Sequence, residues 1–460
     1  MTIVIIGAGF SGSMIAVHLA RQVSSKTRIV LMERAERFAE GVAYSTRDAC
    51  HLLNVPAGRM SAFPDDASHF LRWAQRRRPD ATSGAYLPRR DYAEYLRDIL
   101  QETLGAAPPA PPVQRVTAEA VALQREAGTE RLRVVDRGGA AIPADAVVLA
   151  IGNFPPSDPP CGTPEFYTSQ FYCRDPWRPE GLEVDGAEDL LLLGTGLTMV
   201  DVAVSLRMRG HRGVIHGVSR RGLLPQTHRA SVDAPPHRDP PAALARWTRT
   251  APGLLRAVRE AVAEGARVGL DWQDVLTSLR SVTPALWQSL PLDERARFLR
   301  HVRPYWETHR HRMAPEIGRT IQQMRADGGL HILAGRVEGY HVVGSSVEAR
   351  VRLRGTEAAR TLRVARVLNC TGPDTNLARV GDPLVQSLRD SGLIRPDPLG
   401  LGLDSDDAGR AVSAGGQVQP RVFIAGPLRR GSHWENVAVP ELRGEAQRIA
   451  AAVARQVVGA

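Results

Sequence analysis

Residues 2–34 pass from a short apolar run to apolar residues at helical spacing and then to a second apolar run. The three stretches are TIVIIGA, SGSMIAVHLARQV and TRIVLMER, with glycines at the first junction. Short apolar runs bounded by glycine are typical of buried strands, and apolar residues every three or four positions are typical of a helix that faces a core. The pattern therefore predicts a strand–helix–strand unit.

The same order of elements returns in the second half of the chain. The strand LLLLGTG (190–196) precedes a helix ending at Arg209, the strand GVIHGVSRR, the paired strands LHILAGRVEGYHVV and VEARVRLRG, and the apolar run ARVLNCTGP. The first unit extends from Gly7 to Gly152 and the second from Gly194 to Gly372. We therefore predict an α/β fold with two Rossmann-like dinucleotide-binding domains.

A different pattern interrupts the second unit. Residues 241–327 carry apolar residues at helical spacing and four tryptophans, with few strand signals, which predicts a helical insertion. The chain then ends on a strand, RVFIAGP, and a helix from about Val439, and these would complete the first domain. The first predicted dinucleotide-binding domain, discontinuous in sequence, is 1–155 and 366–460, and the second is 156–240 and 328–365.

The charge of the chain is basic but dispersed. The formal net charge is +10 at pH 7, and Lys26 is the only lysine, so the excess consists of arginines scattered over all 460 residues. A nucleic-acid partner would call for a basic patch or stripe, which the sequence does not show. The composition instead suits a small anionic substrate or cofactor, with no nucleic acid involved.

The four cysteines show no CxxC pair and no metal-ligand spacing with histidine, so we expect neither a disulfide framework nor a metal site. No apolar run approaches the roughly 20 residues of a membrane span, and the chain opens directly on a strand pattern without a basic leader. These features predict a cytoplasmic protein without a membrane partner. An oligomer is compatible with them.

The first glycine turn has the spacing of a dinucleotide site. Gly7, Gly9 and Gly12 form G-x-G-x-x-G between a strand and a helix, where they allow a tight turn, close backbone approach to pyrophosphate and close helix packing. Glu33 ends the next strand, where its carboxylate can accept both ribose hydroxyls. An acid there suits FAD or NAD, and the order of the domains favours FAD. The alternative is a tight turn with a surface glutamate.

The second glycine turn departs from this spacing. Gly194 and Gly196 are present, but Met199 stands where the third glycine would be. After the next strand, Ser219, Arg220 and Arg221 occupy the place of Glu33, and arginine there suits a 2′-phosphate. We therefore predict a modified NADPH site, with a scaffold domain that has lost its nucleotide as the alternative.

Several stretches together resemble a known group. The chain is similar to two-dinucleotide flavoproteins and, within them, to a bacterial FAD/NAD(P)-binding family that includes flavin-dependent N-hydroxylating monooxygenases converting aspartate to nitrosuccinate. The stretches are GAGFSGSMIAVHLA, GVAYST, HLLNVPAGRMSAFPDDASHFLRW, LPRRDYAEYL, LLLGTGLTMVDVAVSL, VSRRGLLPQTH, RPYWETHRHRMAP, NCTGPDTN and AGPLRRGSHWENVAVPELR. They cover nearly the whole chain and are more specific to the family than to one reaction.

The resemblance implies further cofactor contacts. Asn54 and Met60 would lie near the flavin ring, and Arg90 with Tyr92 would steady the helix on the FAD side. Many relatives carry Gly-Asp at the late turn, whereas this chain has Gly426 followed by Pro427. The remaining cofactor-binding candidates flank the turns and the strand ends: Phe10, Ser11, Arg34, Gly152, Leu197, Thr198, Thr371 and Gly372.

The absence of a cysteine pair argues against a disulfide reductase, which needs redox-active cysteines beside the flavin. A monooxygenase needs few catalytic side chains, because reduced flavin reacts with oxygen and the protein supplies orientation and exclusion of water. The resemblance therefore implies an enzyme using FAD, NADPH and molecular oxygen to hydroxylate a small substrate, such as the amine of aspartate. A flavin reductase or dehydrogenase serving a partner, and a non-catalytic cofactor-binding protein, are the alternatives.

Three residues are candidates for the chemistry. Asn54 would lie at the flavin, although an asparagine there also suits a turn cap. His433 could relay a proton, but a lone histidine is more often structural. Arg310, in the basic stretch 303–315, could bind a substrate carboxylate or a cofactor phosphate. The alternative for this stretch is a helix whose arginines pair with acids of the first domain.

Overall fold

The computed structural model describes residues 1–106, 111–126, 128–184, 186–234, 238–242, 244 and 247–458. The strands are β1 (Thr2–Ile6), β2 (Arg28–Glu33), β3 (Val113–Thr117), β4 (Ala120–Arg125), β5 (Leu132–Asp136), β6 (Ala141–Ala144), β7 (Ala146–Leu149), β8 (Tyr172–Cys173), β9 (Leu190–Leu193), β10 (Ile215–Ser219), β11 (Leu330–Val343), β12 (Ser346–Leu353), β13 (Ala359–Val364), β14 (Arg366–Asn369), β15 (Arg410–Val412) and β16 (Val418–Ile424).

The helices alternate with strands in both halves and follow one another between β10 and β11. They are α1 (Phe10–Ala20), α2 (Gly41–Tyr44), α3 (His69–Gln75), α4 (Arg89–Leu104), α5 (Leu197–Met208), α6 (Ala251–Arg267), α7 (Trp272–Ser278), α8 (Thr283–Ser289), α9 (Leu292–His301), α10 (Arg303–Arg310), α11 (Pro315–Ala326), α12 (Pro383–Asp390) and α13 (Val439–Val458). Among the described residues, no helix is long and apolar enough to cross a membrane.

The first domain is built on a six-stranded sheet in the order β15-β16-β7-β1-β2-β3. All its neighbours pair in parallel except β15, which runs antiparallel to β16. Both faces of β1 are buried: Ile3 and Ile5 pack under α1 and α13, while Val4 and Ile6 pack under β4–β6 and α12. Burial on both sides explains why this strand is an unbroken apolar run.

The second domain repeats this arrangement on a seven-stranded sheet, β13-β12-β11-β10-β9-β14-β8. Leu190 and Leu192 of the central strand β9 face α5 and α11, and Leu191 and Leu193 face the antiparallel extension β11–β13. The prediction of two Rossmann-like domains, the first of them discontinuous, is confirmed, because β16 pairs with β7 and α13 packs on α1.

Two predicted boundaries differ from the sheets that form. The sequence pattern predicts that the first domain resumes at residue 366, which would include β14. In the structure, β14 pairs in parallel with β9, so it belongs to the sheet of the second domain. α11 was placed in the insertion, but Ile321 and Met324 pack in the core of the second domain. An apolar strand or an amphipathic helix has the same pattern whichever core it enters. We therefore place the boundaries after Asn369 and before Pro315.

The insertion, helices α6–α10, docks on the first domain through tryptophans. The Trp287 ring stacks on Trp434 with ring centroids 4.8 Å apart, and its Nε1 donates to the Gly431 carbonyl at 2.7 Å. Both indoles are 2% exposed. The insertion thereby covers one side of the space between the two dinucleotide domains. Residues 243, 245 and 246 of the predicted insertion lie outside the described residues.

Candidate functional site

The first glycine turn is sterically committed to glycine. Gly7 has φ 96°, and a Cβ there would lie 2.4 Å from the Ala150 carbonyl oxygen. A Cβ at Gly12 would lie 1.9 Å from the Gly7 carbonyl oxygen, so α1 could not pack against β1. At Gly9 the nearest atom to such a Cβ is Cα of Gly41, 3.5 Å away, which leaves room above the turn. The helix N-terminus and the open backbone together form a cradle suited to pyrophosphate.

Glu33 lies beside this cradle. Its Oε2 accepts a hydrogen bond from the backbone N–H of Ala8 at 2.8 Å, so its carboxylate is held at the turn itself. The position agrees with the predicted role at the ribose. Arg34, the next residue, is exposed. Phe10, the first residue of α1, is buried and stacks on Tyr92 of α4 with ring centroids 6.5 Å apart. Tyr92 thus supports the helix that carries the turn.

The late turn approaches the same helix end. Gly426 has φ 75°, and a Cβ there would lie 2.8 Å from Oγ of Ser11. Pro427 follows in a 3-10 turn, Gly426–Arg429. Sequence reasoning missed Glu445 of α13, which is 1% exposed and whose Oε2 accepts from the Gly426 N–H at 2.8 Å. Burial raises the pKa of Glu445. The sequence signal for Glu445 is that an acidic residue stands within the apolar pattern of α13.

The second glycine turn shows why methionine fits there. Gly194 has φ 98°, and a Cβ would lie 2.6 Å from the Cys370 carbonyl oxygen, so this glycine is as constrained as Gly7. Met199, at the position that corresponds to Gly12 in the first turn, is fully buried in the core between α5 and the sheet. The first turn has no room for a side chain at this position. A Cβ at Gly196 would meet no described atom within 4 Å. The helix is therefore packed through a side chain, and the space beside the turn remains open.

The residues after β10 divide into two groups. Ser219 ties the strand end to the turn, because its Oγ lies 2.8 Å from Oγ1 of Thr195. Arg220 is exposed. Arg221 instead turns to the insertion, with its guanidinium 5.1 Å from the Tyr305 ring centroid. Of the two predicted phosphate-binding arginines, Arg220 is the one directed to solvent.

Gly152 and Gly372 occupy equivalent places after β7 and β14, with φ 71° and 88°. Each therefore follows the strand that neighbours the glycine-turn strand, at the carboxyl end of its sheet. The Thr371 hydroxyl donates to Oδ1 of Asn369 at 2.6 Å. The sheets of α/β proteins bind ligands at the carboxyl ends of their parallel strands. Gly152, Thr371 and Gly372 lie at this edge of their sheets.

A cavity of about 680 Å³ lies between the two domains and the insertion. It brings together Asn54 and Met60 of the first domain, Leu197 and Thr198 of the second, and Arg310 of the insertion. Residues that sequence reasoning had not selected complete much of the wall: Arg37, Tyr44, Asp48, His51, Arg59, Arg89, Asn153, Trp177, Asp201, Arg209, His228, Thr277, Arg280, His311, Arg312 and Val439.

Arg90 does not line this cavity. It is exposed at the start of α4, with Nε 3.7 Å from Oδ1 of Asp91. Its neighbour Arg89 faces inward, donating Nη1 to Oδ2 of Asp201 at 2.6 Å and Nε to the Leu52 carbonyl at 3.0 Å. Adjacent positions on a helix differ by about 100° in direction, so only one of the two arginines can reach the cavity. Arg89 replaces Arg90 as the arginine of this helix at the site.

Arg310 lines the cavity and also pairs with acids of the first domain. Its Nε lies 3.2 Å from Oε2 of Glu435, and its Nη2 lies 3.2 Å from Oε1 of Glu441. Burial alone would raise the pKa of Glu435, but His311 and Arg310 outweigh it and hold that pKa far below its ordinary range. Glu435 is therefore a carboxylate that neutralises Arg310. This arrangement favours the interdomain role of the stretch for Arg310.

His433 is not among the described residues that line the cavity. Trp434 stacks on Trp287 of the insertion, whereas His433 Nδ1 lies 3.0 Å from Oγ of Ser432. Burial and Arg429 lower the pKa of His433 to about 4. His228 does line the cavity, with its Nε2 3.1 Å from the Asn54 carbonyl oxygen. The described histidines that line the cavity are His51, His228 and His311, and not the predicted His433.

Asp48, Cys50 and His51 bring donor atoms within 4.8 Å of one another, which the sequence spacing had not suggested. These groups already have partners in the second domain. Asp48 accepts from the Ser205 hydroxyl at 2.9 Å and from Arg209, and His51 Nε2 lies 2.6 Å from the same hydroxyl. Burial raises the pKa of the Cys50 thiol. The cluster is an interdomain contact of hydrogen-bonded side chains.

Comparison with known proteins agrees with this geometry. A family model described as FAD-NAD(P)-binding matches residues 4–154, the stretch from β1 through β7. A search of curated proteins finds no significant match. Solved structures match over the whole chain, so the likeness extends to both domains and the insertion.

Three such structures are those of two monooxygenases and an N-hydroxylase. L-lysine 6-monooxygenase from Pseudomonas syringae has 16% identity and a TM-score of 0.68, covering 99% of both chains. The ornithine N-hydroxylase of Kutzneria sp. 744, with reduced FAD, NADP+ and L-ornithine, has 13% identity and a TM-score of 0.66 over 99% of both chains. The FAD-bound cadaverine monooxygenase of Erwinia amylovora has 12% identity and a TM-score of 0.66, covering 100% of this chain and 94% of its own. At these identities the likeness establishes the shared fold.

Proposed function

We propose that this protein is an FAD-dependent, NADPH-using monooxygenase that hydroxylates the amine of a small amino-acid substrate, aspartate being one candidate. The observation that carries the proposal is a cavity of about 680 Å³ to which both dinucleotide domains and the insertion contribute walls. A hydride donor, a flavin and a substrate must meet in one enclosed space for such a reaction. The full-length likeness to lysine and ornithine hydroxylases supports the same reaction class.

The residues present fit both cofactors. The first turn offers a helix N-terminus, the cradle above Gly9 and the carboxylate of Glu33, as an FAD adenosine and pyrophosphate require. The second turn offers open space beside Gly196 and the exposed Arg220, as NADPH requires. Bound flavin, once reduced by NADPH, would supply the electrons for the reaction with oxygen. The balance is R–NH₂ + O₂ + NADPH + H⁺ giving R–NHOH + H₂O + NADP⁺.

The chain itself binds and orients the cofactors and the substrate, and it excludes water from the cavity. Met60 and Asn54 contribute the wall on the first domain, and Leu197 and Thr198 the facing wall on the second. Arg89 and Asp201 hold these walls together. A protonated amine must lose its proton before it can attack. His311 lines the cavity with its Nε2 3.6 Å from the Glu435 carboxylate, so its other ring nitrogen, Nδ1, would be the acceptor and Glu435 would stabilise the resulting imidazolium.

The experiment measures coupling. The purified FAD-loaded protein is given NADPH and oxygen with ornithine, lysine, aspartate and the corresponding diamines, and NADPH oxidation, oxygen uptake and hydroxylamine product are followed. The proposal expects one substrate to stimulate oxygen uptake and to yield hydroxylamine in proportion to NADPH consumed. NADPH oxidation that needs an added electron acceptor and leaves every amine unchanged would instead establish a flavin reductase.

A further inference from the structure

Three arginines of the insertion side face the cavity, but only two of them are neutralised by described carboxylates. Arg280 pairs with Glu441, Nε to Oε1 at 2.6 Å, and Arg310 pairs with Glu441 and Glu435 at 3.2 Å each. The third, Arg312, has no carboxylate oxygen of the described residues within 4.0 Å of its guanidinium nitrogens. The positive charge of this wall is therefore concentrated on Arg312.

Arg312 is also under-bonded. It is 5% exposed, and its Nη2 donates to Oγ1 of Thr277 at 3.2 Å, while its Nε and Nη1 have no hydrogen-bond partner among the described residues. Its guanidinium carbon lies 5.5 Å from the Trp272 ring centroid, within the range of a cation–π contact. Burial and the nearby Arg310 lower its pKa to about 10, so the side chain remains charged at neutral pH.

A buried, charged and unpaired guanidinium is costly for a folded protein unless an anion completes it. Nη2 of Arg312 carries a second hydrogen besides the one it donates to Thr277, so either the Nε–Nη2 edge or the Nη1–Nη2 edge can make two parallel hydrogen bonds with a planar oxyanion such as a carboxylate. Arg310 was the sequence-predicted anion site in this stretch, but its own carboxylate partners already satisfy that role. Arg312 is the residue of the wall that a ligand would complete.

The neighbours of Arg312 place its guanidinium near the first domain. Arg312 acts electrostatically on His228 and Tyr86, and His228 contacts the Asn54 carbonyl oxygen. Burial and Arg312 lower the pKa of His228 to about 3, so this histidine is neutral and adds no charge. Arg312 thus lies beside the segment 54–60 of the first domain. The predicted phosphate site, Arg220, follows β10 on the second domain instead.

We propose that Arg312 binds a carboxylate of the substrate and selects carboxylated amines over the same amines without that group. The inference rests on the proposed function and adds its specificity-determining residue. The structurally similar enzymes include both kinds, since one is named for lysine and another for cadaverine, which is lysine without its carboxylate. The unpaired guanidinium of Arg312 indicates that this protein, like the enzyme named for lysine, acts on an amine that carries a carboxylate.

The first test measures binding on the FAD-loaded protein. Acetate, succinate and glutarate, the neutral succinamide and inorganic phosphate are titrated into wild type, Arg312→Met and the control Arg319→Met, which alters an exposed arginine on α11. At least one carboxylate should bind wild type and the control alike, and should bind Arg312→Met about 30-fold or more weakly. Failure of all three carboxylates to bind, or phosphate binding that NADPH displaces, would overturn the proposal.

The second test separates a binding role from a structural one. Because Arg312→Met removes an unpaired buried charge and keeps a similar volume, the free variant should unfold at a temperature no lower than wild type. Arg312→Lys should keep the charge, lose the fork and bind carboxylate with intermediate affinity. A lower unfolding temperature for Arg312→Met together with unchanged carboxylate affinity would show that the residue only supports the fold.

The third test compares substrates in pairs: lysine with cadaverine, and ornithine with putrescine. The carboxylated member should have the higher kcat/KM, by about 30-fold or more, and Arg312→Met should remove most of that ratio. Equal hydroxylation of both members by both proteins would overturn the subsite and leave the proposed function standing. Carboxylate binding through Arg312 without hydroxylation of any amine would overturn the function and leave the subsite standing.

Discussion

Arg89 Nη1 of the first domain lies 2.6 Å from Oδ2 of Asp201 in the second, and the two side chains are 17% and 9% exposed. The same guanidinium donates Nε to the Leu52 carbonyl at 3.0 Å. One arginine at the start of α4 is therefore fastened both to its own domain and to α5. The distance between the two halves of the cavity is set in part by this ion pair.

Asp201→Asn should loosen that contact. The substitution keeps the volume and removes the charge, so the largely buried Arg89 loses its partner, and we expect the free energy of unfolding to fall by about 1–3 kcal/mol. Urea unfolding measures this loss, and hydrogen exchange should show it in α5. Glu119→Gln, which breaks the exposed pair with Arg137, serves as the control and should change stability by less than about 1 kcal/mol. If Asp201→Asn and Glu119→Gln lowered the free energy of unfolding equally, Arg89 would not have the proposed interdomain role.

The two glycine turns predict opposite outcomes for one kind of substitution. Gly12→Ala places a Cβ 1.9 Å from the Gly7 carbonyl oxygen, so the protein should lose FAD and much of its stability. Gly196→Ala meets no described atom within 4 Å, so it should fold, retain FAD and bind NADPH about tenfold or more weakly, because the methyl group enters the pyrophosphate space. Flavin absorbance and NADPH titration distinguish them. Normal NADPH affinity in Gly196→Ala would mean that the second turn holds no dinucleotide.

Arg220 should govern the choice between NADPH and NADH. A charge-assisted hydrogen bond to the 2′-phosphate contributes about 1.5–3 kcal/mol, so Arg220→Ala should reduce the preference for NADPH by about 10- to 100-fold. Arg221→Ala should have a smaller effect, since Arg221 lies against the Tyr305 ring. Dissociation constants of the two nucleotides give the ratio. An unchanged ratio in Arg220→Ala would leave the second turn as a scaffold.

Acid should destabilise the protein partly through His228. Burial lowers its pKa from 6.5 to about 3, so the unfolded chain binds more protons in that window and the free energy of unfolding falls as the pH drops below 6.5. His228→Gln retains a hydrogen-bonding nitrogen and should lose less stability between pH 7 and 5 than wild type does. Urea unfolding at both pH values measures the difference. His301→Gln, at an exposed histidine, should follow wild type.

The sequence was informative where structure is local. Gly7, Gly12 and Glu33 belong to one strand–helix–strand unit, whose chemistry depends only on neighbours along the chain. The continuous apolar runs of β1 and β9 likewise indicated strands buried on both faces. Both dinucleotide domains could therefore be predicted from the sequence.

The missed features depend on contacts between distant segments. Arg89 and Arg90 are equivalent in sequence, and only the position of Asp201 decides which faces the cavity. Arg310 and Arg312 share one basic stretch, and only the acids on the first domain leave the second of them unpaired. No local pattern records these pairings. The position of His433 could not be predicted for the same reason. It does not line the cavity, because its neighbour Trp434 is the residue that packs against the insertion.

The most direct test of the account is anaerobic stopped-flow reduction of the bound flavin. The central claim is that one interdomain cavity joins an FAD site at the first turn with an NADPH site at the second. Mixing the FAD-loaded protein with NADPH should bleach the flavin absorbance rapidly, NADH should do so more slowly, and Gly196→Ala should slow the NADPH reaction at limiting nucleotide. A protein that holds FAD but is reduced by neither nucleotide would contradict the account.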